Sequence, residues 1–415
     1  MSSTFSNALS GLSANAQAID VVSGNLANLN TNGYKVNTAS FQDIVNQNLG
    51  GNGGNIGGST VLRATRSFTQ GSVQTTGGSY DAAVQGNGFF VVRSPKGQQV
   101  FTRAGNFKVD SKGHLLTQDN GFVQGWVAQN GALNTSGSVG DITLPISGLR
   151  QPTPTSTFAV NANLNANAAV ASPDAVFSSP IPIIDSQGIT HTVTITYTKT
   201  AAGSWNYNAT IPAAELAGGN GAPTSIANGT LVFDTAGHLK TPALASNPVK
   251  IAITGLADGA ADLNLDWNLY DTGGTANITQ YSQASANLGS TQNGSPSGQL
   301  TAMSIGADGE ISAHYSNGDA VAVAQLALGS VLNPDSMQDL GYNSFGVTSA
   351  TSLPAIGLPG TGSRGQITGG ALETSTVDVA REFTNLLTYQ RGYQANAKVI
   401  TTEDEVIQAT LNVKQ

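Results

Sequence analysis

The histidines and acidic residues are the side chains of this sequence whose types could ligate a metal ion or transfer protons. The four histidines (His114, His191, His238 and His314) are scattered, and no pair has the H-x-x-x-H spacing that holds zinc on a helix. Each lies beside a predicted turn or strand, which favours a structural or surface histidine over a ligand. The sequence has no cysteine, so disulfide bonds and thiolate metal sites are excluded. We therefore predict no metal ion and no other cofactor.

Two further segments match catalytic or ligand-binding motifs only in part. The acidic run Glu403–Glu405 occupies consecutive positions of one predicted helix, so its carboxylates point in different directions. The glycine-rich run Gly50–Gly58 lacks the lysine of a phosphate-binding loop, which favours a flexible connector. No G-x-S-x-G nucleophile motif occurs. The sequence therefore predicts a protein that is not an enzyme, and a hydrolytic enzyme is the weakest alternative.

Composition excludes further classes of function. The chain has 415 residues, a net charge of −8 and only 10% charged residues, with no basic cluster interleaved with aromatic residues, so we expect no nucleic-acid partner. No run of 18 or more apolar residues occurs, so we expect no membrane insertion. The first residues lack a basic segment followed by an apolar one, and we expect export without a cleavable signal peptide.

A heptad pattern at the start of the sequence predicts a helix over residues 5–29. The positions of this predicted seam are Phe5, Leu9, Leu12, Ala16, Ile19, Ser23 and Leu26. The opposite face carries Ser, Asn, Gln and Ala with a single charge, which suits contact with protein better than contact with water. Gly33 is placed where a residue in the left-handed conformation would end this helix.

The last 40 residues predict a second helix, with Ser375 and Asp378 as a capping box. Its predicted seam comprises Val379, Phe383, Leu386, Gln390, Tyr393, Ala397, Ile400, Asp404, Ile407 and Leu411. A second stripe at strict heptad spacing comprises Gly392, Val399, Val406 and Val413. Two stripes require two partners, and we predict the N-terminal helix for one and another copy of the chain for the other. The alternative is an ordinary helical bundle within a monomer.

Alternating apolar residues and turn tetrapeptides between the two ends predict β-structure. Strands are predicted at Phe89–Arg93 and Val100–Asp110, and turns at Asp110–Gly113, Asp185–Gly188, Asp234–Gly237 and Asp308-Gly309. Half-solvated antiparallel sheets are expected in the middle of the chain. The predicted fold class is therefore multi-domain and mainly β, with nested β domains and the N- and C-terminal α-helices paired as a coiled coil.

The predicted domains are closed by segments from both halves of the chain. They are a terminal helical polymerisation domain (1–30 and 374–415), a connecting arm (31–75 and 360–373), an inner β domain (76–154 and 284–359) and an inserted outer β domain (155–283). After a polar stretch at 282–298, strands are expected to resume around Ser304–Tyr315.

Several motifs resemble those of the bacterial flagellar rod and hook protein family. The matching segments occur in the family's order and are Asn25–Lys35, Asp81–Phe90, Phe101–Phe107, Ala371–Val379 and Gln390–Lys398. The chain departs from the family pattern at Asn32, Thr376 and Gly392, and Gly392 indicates a close helix–helix approach or a local bend. The β insertion, Phe68–Gly71 and Tyr315–Gly318 resemble hook members more than the shorter rod members.

This resemblance implies a structural subunit of a curved, flexible helical tube that transmits motor torque as a universal joint. It implies export through the flagellar export apparatus and an extracellular place in the hook. The implied partners are further copies of the chain, the distal rod protein, the hook cap and the hook–filament junction proteins. The alternatives are a distal rod subunit and a secreted carbohydrate-binding or adhesive β protein.

The predicted polymerisation interface combines the helical seams with the turn that follows the first helix. Its residues are Phe5, Leu9, Leu12, Ile19, Leu26, Asn28, Gly33, Tyr34, Val379, Phe383, Leu386, Tyr393, Val399, Ile400, Val406, Ile407 and Leu411.

Overall fold

The chain divides into two compact units in a computed structural model that describes residues 3–45, 56–129, 132–146 and 148–412. The first unit comprises Met1–Ile146, Ala302–Ala313 and Ala320–Gln415. The second comprises Ser147–Thr301 and His314–Asp319. Among the described residues, no helix is both long and apolar enough to cross a membrane.

Strands dominate both units, and the long helices stand at the two ends of the chain. The N-terminal elements are α1 (Ser3–Ala27), β1 (Asn37–Val45), β2 (Ile56–Arg66), β3 (Val73–Thr75), β4 (Ala82–Gln85), β5 (Phe89–Arg93), β6 (Gln99–Thr102), β7 (Lys108–Val109), β8 (Leu115–Leu116), β9 (Phe122–Val127) and β10 (Gly140–Asp141). The predicted connector at Gly50–Gly58 lies outside the described residues as far as position 55, and its last three residues belong to β2.

The remaining elements complete a mainly β fold. They are β11 (Leu149–Arg150), β12 (Thr157–Asn163), β13 (Val176–Ile184), β14 (Thr190–Ala201), β15 (Ser204–Ile211), β16 (Thr224–Phe233), β17 (Leu239–Thr241), β18 (Val249–Ile253), β19 (Leu263–Asn268), β20 (Ile278–Thr279), β21 (Ala286–Gln292), β22 (Gly298–Ile305), β23 (Glu310–Tyr315), β24 (Ala320–Leu326), β25 (Leu328–Ser330), β26 (Gln338–Asp339), β27 (Ser344–Gly346), β28 (Ala355–Gly357), β29 (Gln366–Gly369), β30 (Ala371–Glu373) and α2 (Val379–Asn412). Short 3₁₀ turns occupy Pro173–Ala175, Ala213–Glu215, Leu244–Ser246 and Pro334–Ser336. The predicted class, mainly β with terminal helices packed together, is confirmed, whereas a coiled coil between them stays a prediction.

The start of α2 corrects the predicted capping box. The Oδ1 atom of Asp378 accepts hydrogen bonds from the backbone N–H groups of Ala380 (2.9 Å) and Arg381 (3.2 Å). Asp378 is therefore the N-cap, because its side chain satisfies donors that the first turn leaves free. Ser375 lies before the helix, where its Oγ accepts only a 3.4 Å contact from the Val377 N–H.

The first unit is built on a sheet in which β22, β23, β24, β9, β5, β6, β27 and β26 lie side by side in that order. The predicted hairpin forms between β5 and β6, but the predicted strand Val100–Asp110 is wrong in its length. β6 ends at Thr102, and the guanidinium of the next residue, Arg103, contacts Glu373 and the Gly86 carbonyl. Aromatic rings of Phe89, Phe101 and Phe345 fill the core on one face.

The second unit contains two five-stranded sheets that share one apolar core. The first sheet has the antiparallel order β13-β14-β15-β16-β17, and along β14 alternate side chains such as Val193, Ile195 and Tyr197 are buried. The second is mixed rather than antiparallel, because β12 pairs in parallel with β19 and with β20. The polar stretch at 282–298 itself contains a strand, β21, which pairs with β12. The predicted four-domain division stays a prediction.

The tight turns follow the sequence prediction. In Asp110–Gly113, Asp185–Gly188 and Asp234–Gly237, the glycine N–H donates to the carbonyl of the leading aspartate, at 3.0–3.2 Å. Each aspartate also accepts backbone N–H groups through its own side chain. Asp308-Gly309 turns the chain between β22 and β23, as predicted.

We expect Trp267→Ala to destabilise the second unit by about 3–5 kcal/mol, because a large buried ring leaves a cavity. The Trp267 ring is fully buried, stacks on Phe158 and meets Tyr207 edge-on. Urea denaturation followed by circular dichroism measures the loss. The control is Leu288→Ala on β21, which is 72% exposed and should change stability by less than about 0.5 kcal/mol. Equal effects of the two substitutions would contradict this account of the core.

Candidate assembly surface and the joint between the chain ends

The two terminal helices pack against each other in antiparallel directions. Asn25, near the end of α1, contacts Glu382 near the start of α2, whereas Gly11 lies beside Asn396 further along α2. Helix α1 also packs on the β1–β2 hairpin, so it has two neighbours within the first unit. The ends of the chain therefore form one joined element rather than two separate arms.

Small residues form the face of α1 that is buried within the molecule. Ala8, Ala14, Ala18 and Val22 are each no more than 4% exposed. The predicted seam of larger residues lies on neighbouring positions, and Leu9 is 51% exposed. The close approach of α2 and the hairpin selects residues without bulk on the most buried face of α1.

Two Gly–Asn pairs set the distance between the helices. Asn15 donates through Nδ2 to the Gly11 carbonyl (2.7 Å), and Asn396 donates in the same way to the Gly392 carbonyl (2.9 Å). Each Asn lies over the glycine of the other helix, because a Cβ added at Gly392 would be 2.6 Å from Asn15 Oδ1 and one added at Gly11 would be 2.8 Å from Asn396 Oδ1. The close approach expected at Gly392 is present.

The predicted interface residues fall into three groups by exposure. Gly33 and Tyr34 are buried. Partly buried are Phe5, Leu12, Ile19, Leu26, Asn28, Leu386 and Ile400. Exposed are Leu9, Val379, Phe383, Tyr393, Val399, Val406 and Ile407, whereas the Leu411 side chain and Val413 lie outside the described part of the chain. Their role in polymerisation stays a prediction.

Helix α2 carries large apolar side chains that this molecule leaves in contact with solvent. Val399 (41% exposed) and Val406 (58%) border a shallow groove that also includes Thr4, Ala395 and Thr402. Phe383, at 51% exposed, lies on the opposite flank of α2, as the helical periodicity of about 100° per residue requires. Exposed apolar surface of this extent on a helix is typical of a protein–protein contact.

Asn25 is the centre of the hydrogen-bonded joint between α1 and α2. This fully buried side chain donates to the Asn37 carbonyl (2.7 Å) and to Glu382 Oε2 (3.0 Å). Its Oδ1 accepts from the Asn37 N–H (3.0 Å) and the Tyr34 hydroxyl (3.2 Å). A buried amide with every donor and acceptor satisfied fixes the geometry of its neighbours. Burial raises the pKa of Tyr34, so its hydroxyl stays protonated and able to donate.

A buried ionic cluster joins the segment after α1 to the segment before α2. Glu373 Oε1 accepts from Lys35 Nζ (2.6 Å) and from the Gly71 N–H (2.7 Å), and Glu373 Oε2 accepts from Arg103 Nη1 (3.2 Å). The Lys35 and Glu373 side chains are 0% exposed, and Arg103 is 4% exposed. Burial lowers the pKa values of Lys35 and Arg103, and the Glu373 carboxylate opposes this effect.

Two further hydrogen bonds of this cluster go to backbone carbonyls, whereas Arg103 Nε is buried without a hydrogen-bond partner. Lys35 also donates to the Thr69 carbonyl (2.7 Å), and Arg103 Nη2 donates to the Gly86 carbonyl (2.7 Å). Gly33 adopts φ +70°, and a Cβ there would lie 2.6 Å from the Arg103 carbonyl carbon. Gly33 is therefore needed for a close backbone approach to Arg103 and not as the direct helix cap, because α1 already ends at Ala27.

The sequence prediction of site residues missed Asn25, Lys35, Arg103, Glu373 and Glu382. The first four lie inside the quoted motifs, which gave a usable signal. Because only 10% of the residues are charged, each charged residue is a candidate for a specific ion pair. However, Lys35 and its partner Glu373 lie more than 300 positions apart in the sequence. Only the fold brings these residues together.

We expect Glu373→Gln to destabilise the first unit by about 3–5 kcal/mol, because two buried cations would lose their counter-charge. The amide has the same shape as the carboxylate, so the loss reports charge rather than volume. Thermal and urea denaturation measure it. The control is Asp339→Asn, whose partner Arg66 lies at 2.5 Å in a pair with a half-exposed carboxylate, and it should cost about 1 kcal/mol or less. A loss at Glu373 no larger than that at Asp339 would refute the role of the cluster.

We expect Gly11→Leu to separate α1 from α2, because its side chain would overlap Asn396. Overpacking of this kind costs about 1–3 kcal/mol. The matched control is Gly24→Leu in the same helix, where an added Cβ meets nothing within 4 Å and helix propensity improves. Limited proteolysis with mass spectrometry should show faster cleavage within residues 3–27 and 379–412 for Gly11→Leu only. The same cleavage pattern in both variants would contradict this packing.

Comparison with known proteins places four segments in flagellar families. Residues 5–35 match "Flagella basal body rod protein", and residues 83–163 match "Flagellar hook protein FlgE/F/G D1 domain". Residues 160–295 match "Flagellar basal body protein FlaE D2 domain", and residues 368–413 match "Flagellar basal body rod FlgEFG protein C-terminal". The last of these covers Glu373, Glu382 and α2.

The chain is similar to flagellar hook proteins over nearly its whole length. It is 30% identical to the flagellar hook protein FlgE of Escherichia coli K12, over 99% of this chain and 100% of that protein. It is 31% identical to the FlgE of Treponema pallidum, over 100% of both. In fold it resembles the crystal structure of Helicobacter pylori flagellar hook protein FlgE2, with a TM-score of 0.55 and 15% identity over 74% of this chain and all of that one. The chain therefore belongs to the flagellar hook protein FlgE family.

Proposed function

We propose that this protein is the structural subunit of a flagellar hook and assembles with copies of itself into a curved, flexible helical tube. The observation that supports this most directly is the exposed apolar surface on both flanks of α2, since α1 covers only the face between them. Contacts between different patches on successive copies are heterologous, and they generate an open helix rather than a closed dimer. Each copy added to the tube buries apolar side chains that the single molecule leaves in water.

The proposed mechanical role divides the contacts into two kinds. Apolar contacts made by the terminal helices resist separation of the subunits while the tube carries torque. The β domains are poor in charge and rich in Ser, Thr, Asn and Gly, so their mutual contacts are polar and weak. Exposed polar contacts, worth about 0–1 kcal/mol each, exchange readily as the spacing between subunits changes during bending.

The proposed partners follow from this place in the flagellum. They are further copies of this chain, the distal rod protein, the hook cap and the hook–filament junction proteins. Delivery would take place through the flagellar export apparatus, to an extracellular position and without a cleavable signal peptide. We infer a structural role without catalysis, and the buried carboxylates of the joint support it, since Glu373 and Glu382 serve packing rather than a substrate cleft.

A second candidate is a distal rod subunit. It is favoured by the matches of residues 5–35 and 368–413 to families described as rod proteins. A rod is straight and rigid, whereas a hook is curved. The same electron micrographs of assembled protein that test polymerisation therefore discriminate between the two.

We expect Val399→Asp to abolish tube formation while the monomer keeps its unfolding temperature, because the charge would be buried only in the assembly. Seeded or salt-induced assembly followed by negative-stain electron microscopy and sedimentation measures this. The control is Thr401→Asp, which adds the same charge two positions away on another face of α2, at an exposed residue. The proposal fails if Val399→Asp forms tubes as the unchanged chain does. Straight rather than curved tubes would favour the rod subunit.

A further inference from the structure

Four ionisable side chains converge in the second unit, far in sequence from the terminal helices. Asp185 follows β13 and begins the turn into β14, and His191 is the second residue of β14. Glu215 closes the 3₁₀ turn Ala213–Glu215, and Asp258 lies in the loop between β18 and β19. Three separate chain segments therefore contribute to one cluster. The proposed assembly role does not use it.

The imidazole of His191 lies at the centre of this cluster, with a carboxylate on each side. His191 Nε2 is 3.1 Å from Asp185 Oδ2 and 3.2 Å from Asp258 Oδ2, and His191 Nδ1 is 3.0 Å from Glu215 Oε2. The side chains of Asp185, His191 and Asp258 are 0%, 6% and 18% exposed. Asp185 and His191 are therefore the buried part of the cluster, whereas Asp258 and Glu215, whose side chain is 29% exposed, lie at its edge.

The negative charge of the cluster exceeds its positive charge. Three carboxylates surround one imidazole, and among the described residues no Lys or Arg forms an ion pair with any of the three. A doubly protonated His191 would set one positive charge against three acidic groups, two of which, Asp185 and Asp258, are within hydrogen-bond distance of each other. Buried charge is costly unless it is paired or coordinates a metal. The site is therefore suited to bind a cation.

We propose that Asp185, His191 and Asp258 bind a divalent transition-metal ion such as Zn²⁺. Their ligand atoms all lie within 4.8 Å of one another. Metal–ligand bonds of about 2.0–2.2 Å place neighbouring ligand atoms roughly 3–3.5 Å apart. The separations of 3.1 and 3.2 Å between Nε2 and the two aspartate oxygens match this spacing.

The surrounding hydrogen bonds orient each ligand for this role. Glu215 accepts the Nδ1–H of His191, which leaves the Nε2 lone pair for the ion. Asp185 Oδ1 accepts the backbone N–H groups of Gln187 and Ile189, both at 2.8 Å, so its Oδ2 faces the imidazole. Asp258 Oδ1 accepts the Ala260 N–H at 2.9 Å, so the Oδ2 of Asp258 also faces the imidazole.

The donor set selects the class of metal ion. Ca²⁺ takes six to eight oxygen ligands, whereas imidazole nitrogen with two carboxylates suits Zn²⁺ and other first-row ions. Three protein ligands leave room for water in the remaining position. The ion binds the Nε2 lone pair, any proton that Nε2 carries in the metal-free chain is released to solvent, and no redox step is involved. The bound ion connects the β13–β14 turn to the β18–β19 loop and so stabilises the second unit.

Calorimetric titration of the full-length chain with Zn²⁺, and in parallel with Ca²⁺, tests the site. One Zn²⁺ should bind per chain and raise the thermal unfolding temperature, and Ca²⁺ should bind far more weakly. Asp258→Asn should weaken Zn²⁺ binding by about tenfold or more, and His191→Gln should abolish it. The matched control is Asp262→Asn, in the same loop as Asp258, because Asp262 accepts only the Gly255 N–H and should leave the affinity unchanged.

Two outcomes would overturn the proposal. One is no Zn²⁺ binding by the unchanged chain, which would leave a protonated His191 that bridges the carboxylates without a metal. The other is equal binding by the unchanged chain and Asp258→Asn, which would place the ion elsewhere. Asp258 is at the exposed edge of the cluster, so its variant tests the site even if His191→Gln fails to fold. Assembly into tubes is a separate measurement, so either proposal can fail alone.

Discussion

The buried contact of Glu373 with Lys35 and Arg103 ties together the two halves of the chain, between α1 and α2. Glu373 belongs to β30, directly before α2, and Lys35 follows α1, so one carboxylate fixes where both helices leave the β-structure. The Gly33 N–H also donates to the Glu373 carbonyl at 2.8 Å. Because a buried charge without its partner is far more costly than a lost surface pair, the helices are oriented by the joint before they meet any other molecule.

The joint allows the two sides of the helical pair to differ in character. Inside, Gly11 and Gly392 permit an approach so close that large side chains are excluded, and the contact rests on Ala, Gly and Asn. Several larger apolar residues, such as Leu9, Phe383 and Val399, are consequently exposed. A helical pair with a small-residue interior and large exposed side chains can remain a defined element in the single molecule and still offer apolar surface to a neighbour.

Local patterns in the sequence predicted much of the fold. The helices, the alternation along β14 and the Asp-to-Gly turns depend on short-range chemistry, so the residues themselves specify them. The parallel pairing of β12 and the face that α1 buries depend on distant partners. Large apolar residues define the predicted seam of α1, whereas the face that α1 buries most fully carries Ala and Gly, which give little hydrophobic signal although they set the helix separation. The cluster around His191 could not be predicted from the sequence, because its residues lie on three chain segments that only the fold brings together.

In the proposed tube, the fold of each subunit must be more stable than the individual polar contacts between neighbouring subunits. Each β unit is held by a buried aromatic core, such as that around Trp267 or Phe345, whose loss would cost several kcal/mol. Polar contacts between such units are individually much weaker. A subunit whose spacing to its neighbours changes during each turn therefore deforms at its contacts and not in its cores. Because the contacts between subunits are weaker than the cores within them, the tube can bend while every subunit keeps one fold.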